Sequence, residues 1–377
     1  MLAAFIKSSI AHMMLRFFSL FPIDKDKIVF SSFYGMVNDN PYAIYKKLCE
    51  KNAPCKCVWL VSKGKRGTEK TEYVGRLSVK GCYHLATARV WIDNSRKREW
   101  VCKRKGQYYI QTWHGGIGNK LVEKAAASKL SDGYVKEAIH DSQMIDLFLS
   151  NSAWMTNIIK RDFWYDGPVK ETGYPREDIL FDKTGKMHRS VCAFYHVDPE
   201  TRFVIYAPTF RNDPDMDYGF DTERLINTFQ NKYGGNWKII IRLHPNVLKE
   251  QHKVHYSDNV LNGSEYPDMN ELIMASEWLI SDYSSCMFDA LIAERSVIAY
   301  VKDLEKYREE RGFIVDPEKL PFPIARDEDD MNCVVENFDW DKFQQEGKRF
   351  LDDCGMVQDG MASERVADLV CSLLKEE

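Results

Sequence analysis

Short runs of branched and aromatic residues recur along this chain, and most end in a polar or glycine-containing turn that opens a helix-length segment. Lys27-Ile28-Val29-Phe30-Ser31-Ser32-Phe33, Cys57-Val58-Trp59-Leu60-Val61, Val90-Trp91-Ile92-Asp93-Asn94-Ser95 and Phe148-Leu149-Ser150-Asn151-Ser152 have this form in the first half. Phe203–Arg211, Lys238–Pro245, Trp278–Ser285 and Ser296–Tyr300 repeat it in the second. Continuous apolar runs suit strands covered on both faces, and their alternation with helices requires crossover connections in a parallel sheet. The fold class is therefore α/β. A chain of 377 residues exceeds one ordinary domain, and two is the natural division. A short strand within Val169-Lys170-Glu171-Thr172-Gly173-Tyr174-Pro175-Arg176 that ends in Gly-Tyr-Pro, the polar helix Thr184–Tyr195 and the turn Asp198-Pro199 interrupt the alternation, placing a boundary between 23–190 and 191–377. Asn40 reads as the cap of a helix Tyr42–Glu50, with Pro41 in its first turn. Leu77–Lys80 reads as a short strand, and Ser363–Glu376 as the closing helix of the second domain.

One strand carries the most chemistry. Tyr108-Tyr109-Ile110-Gln111-Thr112-Trp113-His114-Gly115-Gly116-Ile117-Gly118-Asn119-Lys120 sets an imidazole at the end of an apolar run, followed at once by two glycines. Open α/β sheets bind ligands beyond the carboxyl ends of their strands, and glycine lets a ligand approach the backbone. Taken alone, His114 reads first as a satisfied histidine in a strand-to-helix turn. Three exits in the second half carry further polar groups: Thr209 and Arg211, Arg242 and His244, then Ser281-Asp282-Tyr283-Ser284-Ser285. Hydroxyls and free amides at a helix start suit a phosphate, as they also suit plain capping. The two arginines and a histidine held at a strand exit by Pro245 turn the balance towards an anion. Four such ends, spread over two α/β halves, describe a cleft between two sheets.

Several classes are excluded. A net charge of −4 gives no overall basic character for nucleic acid. Ten scattered cysteines contain no Cys-x-x-Cys pair, which argues against zinc and for reduced thiols. Asp24-x-Asp26, Asp215-x-Asp217 and Asp339-x-Asp341 match a metal-binding pattern that arises readily by chance in an acidic chain, so no metal site is assigned. His140, His188, His196, His252 and His255 lack convincing partners. P-loop, dinucleotide and nucleophile-elbow motifs do not occur. The basic loop Lys63–Lys70 reads as a solvated loop, with contact to anionic lipid or substrate as the second reading. In residues 1–22, Leu2, Phe5, Ile6, Ile10, Met13, Met14, Phe17 and Phe21 recur at helical spacing, interrupted by Lys7, His12 and Arg16. These charges rule out a span of roughly 20 apolar residues. The segment is an amphipathic helix, either lying on a membrane surface or packed on its own domain.

These blocks together resemble the CDP-glycerol:polyol glycerophosphotransferases of teichoic acid and capsule synthesis. The resemblance is carried by Gln111-Thr112-Trp113-His114-Gly115, Asn151-Ser152, Phe163-x-Tyr165-Asp166-Gly167 and Gly173-Tyr174-Pro175-Arg176-x-Asp178-Ile179-Leu180. It continues through Tyr206-Ala207-Pro208-Thr209-Phe210-Arg211, Leu243-His244-Pro245, Ser281–Ser285 with Met287-Phe288-Asp289, and Tyr307-x-x-x-Arg311-Gly312-Phe313. It implies a GT-B-like fold, with two Rossmann-like domains facing a central cleft. It implies CDP-glycerol bound by the C-terminal domain through Thr209, Arg211, Arg242, Ser281, Asp282, Ser284, Ser285 and Asp289. His114 is then the general base for an acceptor hydroxyl, and His244 the second catalytic residue, holding the diphosphate. Gly115, Gly116 and Lys120 fall on the acceptor side, and no cofactor or metal is needed. This chain reads Gly116-Ile117-Gly118-Asn119-Lys120 where relatives often carry Thr-Pro-Leu-Lys, so the acceptor is the least defined partner.

The expected activity is transfer of glycerol phosphate to a lipid-linked saccharide or growing polymer, releasing CMP, at the cytoplasmic face of the cell membrane as a peripheral protein. Three alternatives stay open: CDP-ribitol as donor, a GT-B enzyme using a nucleotide sugar, and an inactive membrane-bound assembly subunit.

Overall fold

Parallel strands covered on both faces need unbroken apolar runs, and the chain supplies them. The computed structural model describes residues 2–62, 71–211, 218–244 and 254–376, with side chains from residue 7 onward. The loop Lys63–Lys70, Asp215-x-Asp217, Pro245 and His252 lie outside the described residues. The chain divides into two units. Unit 1 comprises Met1–Gly115, Val122–Asp178 and Met356–Glu377, and unit 2 comprises Gly116–Leu121 and Ile179–Gly355.

Unit 1 runs α1 (Leu2–Phe18), β1 (Asp24–Ser31), α2 (Asp39–Glu50), β2 (Lys56–Val61), β3 (Thr71–Gly75), α3 (Val79–Thr87), β4 (Ala88–Asp93), β5 (Tyr108–Gln111), α4 (Asp132–Ser142), β6 (Leu147–Ser150), α5 (Ala153–Asp162) and β7 (Val169–Glu171). Its seven strands are ordered β3-β2-β1-β4-β5-β6-β7, all parallel. The order reverses between β1 and β4, where Ile28 pairs with Val90 and Ser31 with Asp93. Phe30 stacks on Trp59 at 5.1 Å between ring centres, and Trp91, Tyr109, Phe148 and Phe163 complete a buried aromatic core. The expected strand over Leu77–Lys80 is absent. Ser78 instead caps α3 by accepting from the Gly81 amide, and the edge strand is Thr71–Gly75. Asn40 is not a cap either: Asn38 occupies that position, and Asn40 is fully buried with its amide turned to other work.

Unit 2 runs α6 (Lys186–Tyr195), β8 (Thr201–Ala207), α7 (Thr222–Tyr233), β9 (Asn236–Ile241), β10 (Val260–Asn262), α8 (Met269–Ala275), β11 (Trp278–Ser281), α9 (Cys286–Ile292), β12 (Ser296–Tyr300), α10 (Leu304–Glu310), β13 (Ile324–Ala325), α11 (Glu328–Glu336) and α12 (Trp340–Asp353). Its sheet, β10-β9-β8-β11-β12-β13, repeats the same doubly wound order with its switch between β8 and β11. Phe229 stacks on Trp237 at 4.8 Å and meets Trp278 edge-on at 5.2 Å, anchoring α7 to the sheet.

The division differs from the boundary expected at 190. Helix α6 belongs wholly to unit 2, because Val191 and Cys192 are buried and His188 Nδ1 bonds the Ala275 carbonyl at the end of α8. The closing helix α13 (Ala362–Lys375) returns to unit 1 instead of ending unit 2. Two local forces hold it there. Asp178 accepts from the amides of Ala362 (2.9 Å) and Ser363 (2.7 Å), capping α13 from a distant part of the chain. Lys51 at the end of α2 pairs with Glu364 and with Asp368, the latter at 2.7 Å. Replacing the cap in the Asp178→Ala variant should cost about 1–2 kcal/mol. Urea unfolding of the full chain checks this, and an unchanged midpoint would remove Asp178 as the anchor of α13.

Candidate functional site

Each unit ends its strands in polar side chains. In unit 1 the centre is His114, three residues past β5. Its Nδ1 lies 2.9 Å from the Asn94 carbonyl oxygen, which can only accept, so Nδ1 carries the proton and Nε2 is the basic nitrogen of the neutral ring. Trp113 stacks on the imidazole at 4.2 Å, and Phe33 meets it edge-on at 4.1 Å. The Asn94 side chain also accepts from the Phe33 amide at 3.1 Å, so one residue places both the ring and its aromatic neighbour.

The backbone leading into this histidine is strained. Trp113 has φ of 52°, a left-handed conformation costly for a bulky residue. Its amide donates to Gln111 Oε1 at 2.9 Å, and its carbonyl accepts from Asn40 Nδ2 at 3.1 Å. Asn40 Oδ1 accepts from the Arg176 amide at 3.0 Å, tying α2, the His114 turn and the Gly-Tyr-Pro-Arg turn together. The Arg96 guanidinium lies over the Trp113 ring at 5.3 Å and is buried between Glu123 and Asp141. Asn151 donates to both carboxylate oxygens of the buried Glu177, which fixes the next strand exit. Gly115 follows in the same unit. A separate cavity of about 1190 Å³ opens over the carboxyl ends of β1 to β4, lined among others by Ser31, Ser62, Arg76, Asp93, Trp100 and Met13. Ends of strands at a switch point are where such sheets bind ligands.

In unit 2 the expected anion-binding residues separate into two groups. Arg211 is fully committed. Its guanidinium bonds Asp282 (2.8 Å), Asp303 (2.7 Å) and the Thr209 carbonyl (2.7 Å), and lies over the Tyr283 and Tyr307 rings. Burial works against the Asp303 carboxylate, yet the bond from Arg211 holds it below the usual range. Asp282 also accepts from the amides of Thr209 (2.9 Å) and Tyr283 (2.6 Å). Ser281 donates to the Ala207 carbonyl at 2.6 Å, locking β11 to β8. Arg242 donates to the carbonyls of Gly263 and Tyr266. Asp289 sits buried in the first turn of α9. Arg211, Asp282, Asp303, Ser281 and Arg242 brace the site from within.

The second group comprises Thr209, Ser284, Ser285 and His244. The buried Thr209 hydroxyl has no hydrogen-bond partner among the described residues. The Ser284 hydroxyl accepts a long bond, 3.4 Å, from the Cys286 amide, and Ser285 makes no side-chain capping bond among the described residues. Desolvation, then the nearby Lys120 cation, lowers the pKa of His244, so a neutral imidazole is favoured there. Gly116 and Lys120, expected on the acceptor side, belong to unit 2: the Leu121 amide donates to Gly312 O, and the Ile314 amide to Asn119 O. Lys120 itself bridges to Phe313. Of the acidic pairs, Asp24 is held by Lys27 and Lys56, and Asp339 caps α12. Among the described residues no group of three or more His, Cys, Asp or Glu is placed to hold a metal ion.

Sequence reasoning missed Asn94, Asn40, Arg96 and Asp303. Their roles depend on partners far along the chain, and for Asn94 on a backbone oxygen, which no residue pattern reveals. Removing the buried guanidinium in Arg211→Ala leaves Asp282 and Asp303 unpaired and should cost about 3–5 kcal/mol. Chemical denaturation of the full chain measures this, and a cost under about 1 kcal/mol would contradict the bracing role.

The family model of the CDP-glycerol:poly(glycerophosphate) glycerophosphotransferases matches residues 13–372. A teichoic acid glycerol-phosphate transferase of Staphylococcus aureus is 29% identical over 97% of this chain and 98% of its own length. A teichoic acid poly(glycerol phosphate) polymerase of Bacillus subtilis is 29% identical over 93% of this chain, which spans 49% of that longer protein. The solved structure of the wall teichoic acid polymerase TagF superposes with a TM-score of 0.84 at 25% identity, over 97% of this chain and 94% of that one. The TagF polymerase has also been solved after a soak with CDPG. With the family model spanning almost the whole chain, this protein belongs to the CDP-glycerol:poly(glycerophosphate) glycerophosphotransferase family.

Proposed function

We propose that this chain transfers glycerol phosphate from CDP-glycerol to a hydroxyl of a lipid-linked saccharide or growing teichoic acid polymer, with release of CMP. The reaction class follows from the family. The observation that carries the residue-level reading is the bond from His114 Nδ1 to the Asn94 carbonyl. It fixes the tautomer in which Nε2 accepts a proton, as a general base requires. His114 Nε2 takes the proton of the acceptor hydroxyl. The oxygen attacks the glycerol-bearing phosphorus, the phosphorus–oxygen bond to CMP breaks, and CMP leaves carrying the electron pair. The donor is held by unit 2, where His244, Thr209, Ser284 and Ser285 supply hydrogen bonds to the diphosphate around a framework fixed by Arg211 and Asp282. Positioning and electrostatics of this kind dominate phosphoryl transfer. We read the two doubly wound units as a GT-B-like pair, with the acceptor taken by unit 1 near His114 and the cavity over β1–β4.

The same reading makes the protein peripheral to the cytoplasmic face of the membrane. No helix among the described residues is long and apolar enough to cross one. Helix α1 buries Ala11 and Leu15 against unit 1, and His12 bonds the Trp100 carbonyl. The other face leaves Met13 (62%) and Phe17 (58%) exposed, with Arg16 exposed beside them, and Leu20 (81%) is exposed in the turn that follows the helix. A row of exposed apolar side chains flanked by a cation suits the headgroup boundary. The packed and surface-bound readings of this helix are thus compatible, one face serving each.

Three measurements test these points. Wild-type protein should release CMP from CDP-glycerol in the presence of a lipid-linked acceptor and leave nucleotide sugars intact; release from CDP-ribitol alone would change the donor. His114→Ala should lower kcat by about 10²–10⁴-fold, the usual contribution of a general base, with CMP binding kept. Full turnover in that variant would exclude His114. The double variant Phe17→Asp/Leu20→Asp should no longer float with vesicles containing anionic lipid, and undiminished flotation would refute the surface role of α1.

A further inference from the structure

The segment Gly116–Leu121 begins two residues after His114, yet it is built into unit 2. Its backbone runs against Gly312–Val315. Lys120 bridges antiparallel to Phe313, and the Ile314 amide donates to the Asn119 carbonyl at 2.8 Å. The Val315 amide donates to Asn119 Oδ1, also at 2.8 Å. Phe313 in turn packs at 5.4 Å on Tyr283, in the middle of the Ser281–Ser285 turn. A Cβ built on Gly118 would stand 3.8 Å from Ser285 Cβ. The segment therefore lies on the hydroxyl-rich turn of unit 2.

Lys120 is half-buried there and makes no hydrogen bond or ion pair among the described residues. Its electrostatic surroundings are Asp282, Arg311, Cys286, Arg211 and His244. Asp282 is already engaged by Arg211 and by the Thr209 and Tyr283 amides, and Arg211 is closed between two carboxylates. A desolvated ammonium among other cations is unfavourable unless an anion joins it. Two more buried donors in these segments, Thr209 Oγ1 and Asn119 Nδ2, have no hydrogen-bond partner among the described residues, in side chains 8% and 6% exposed. The arginines expected to bind phosphate are spent on the protein, whereas the Lys120 ammonium has no such partner among the described residues.

We propose that Lys120 is a donor-binding residue of unit 2, its ammonium contacting the diphosphate of the nucleoside diphosphate ester and the phosphate of departing CMP. This rests on the donor reading of unit 2 given above. As the phosphorus–oxygen bond to CMP breaks, the leaving phosphate gains a negative charge, and an adjacent ammonium stabilises it. Lys120 thus acts in both donor binding and leaving-group departure, whereas a residue on the acceptor side would alter neither.

Lys120→Ala and Lys120→Arg in the full chain separate these cases. CMP binding is measured by calorimetry, and transfer kinetics are recorded with CDP-glycerol and acceptor varied independently. Lys120→Ala should weaken CMP binding about 10- to 100-fold, the scale of a charge-assisted hydrogen bond. It should raise the KM for CDP-glycerol and leave the KM for acceptor within about twofold, while Lys120→Arg keeps most of the CMP affinity. Unchanged CMP affinity with a raised acceptor KM overturns the proposal. So does equal loss in both variants accompanied by a lowered unfolding midpoint, which marks a structural lysine. A wild-type protein that binds CMP in a Lys120-dependent way yet never releases it from CDP-glycerol would overturn the transferase reading and leave the anion site standing.

Discussion

The guanidinium of Arg211 is the interaction on which unit 2 depends. It lies between Asp282 after β11 and Asp303 after β12, beneath two tyrosine rings, and reaches back to the Thr209 carbonyl after β8. Three strand exits are thereby fixed to one rigid, planar group. Such a group is desolvated at a cost, and the cost is met because both carboxylates and a carbonyl answer its donors. The Thr209, Ser284 and Ser285 hydroxyls stand on the segments it fixes.

Unit 1 solves the same problem with amides instead of charges. Asn94 and Asn40 each use a side chain to join segments distant in sequence, and between them they set the turn that bears His114. The left-handed Trp113 is tolerated because hydrogen bonds from both sides hold it, and because Arg96 and Phe163 pack against its ring. Strain concentrated one residue before the proposed base is consistent with a turn selected for where it puts an imidazole.

The motifs that carry family resemblance turn out to do mostly structural work. Asp178 of the Gly-Tyr-Pro-Arg block caps α13, Ser281 locks two strands, and Asp282 and Arg211 neutralise each other. Spacing singled these residues out as a set. It could not sort bracing residues from ligand-facing ones, since that depends on which donors are already satisfied. Lys120 shows the limit most plainly. Its neighbours in sequence pointed to the acceptor side, and its backbone pairing to Gly312–Val315 attaches it to unit 2.

The sequence by itself determined the α/β class, the parallel strands and the strand exits that bear His114, His244 and the serine turn. Those features follow from local periodicity and from the polar residues that end each run. Only the tertiary structure decided that α13 returns to unit 1, that Asn40 is a tie and not a cap, and that residues 116–121 cross to unit 2. Each of these rests on hydrogen bonds between segments tens to hundreds of residues apart, and such partners leave no trace in local spacing.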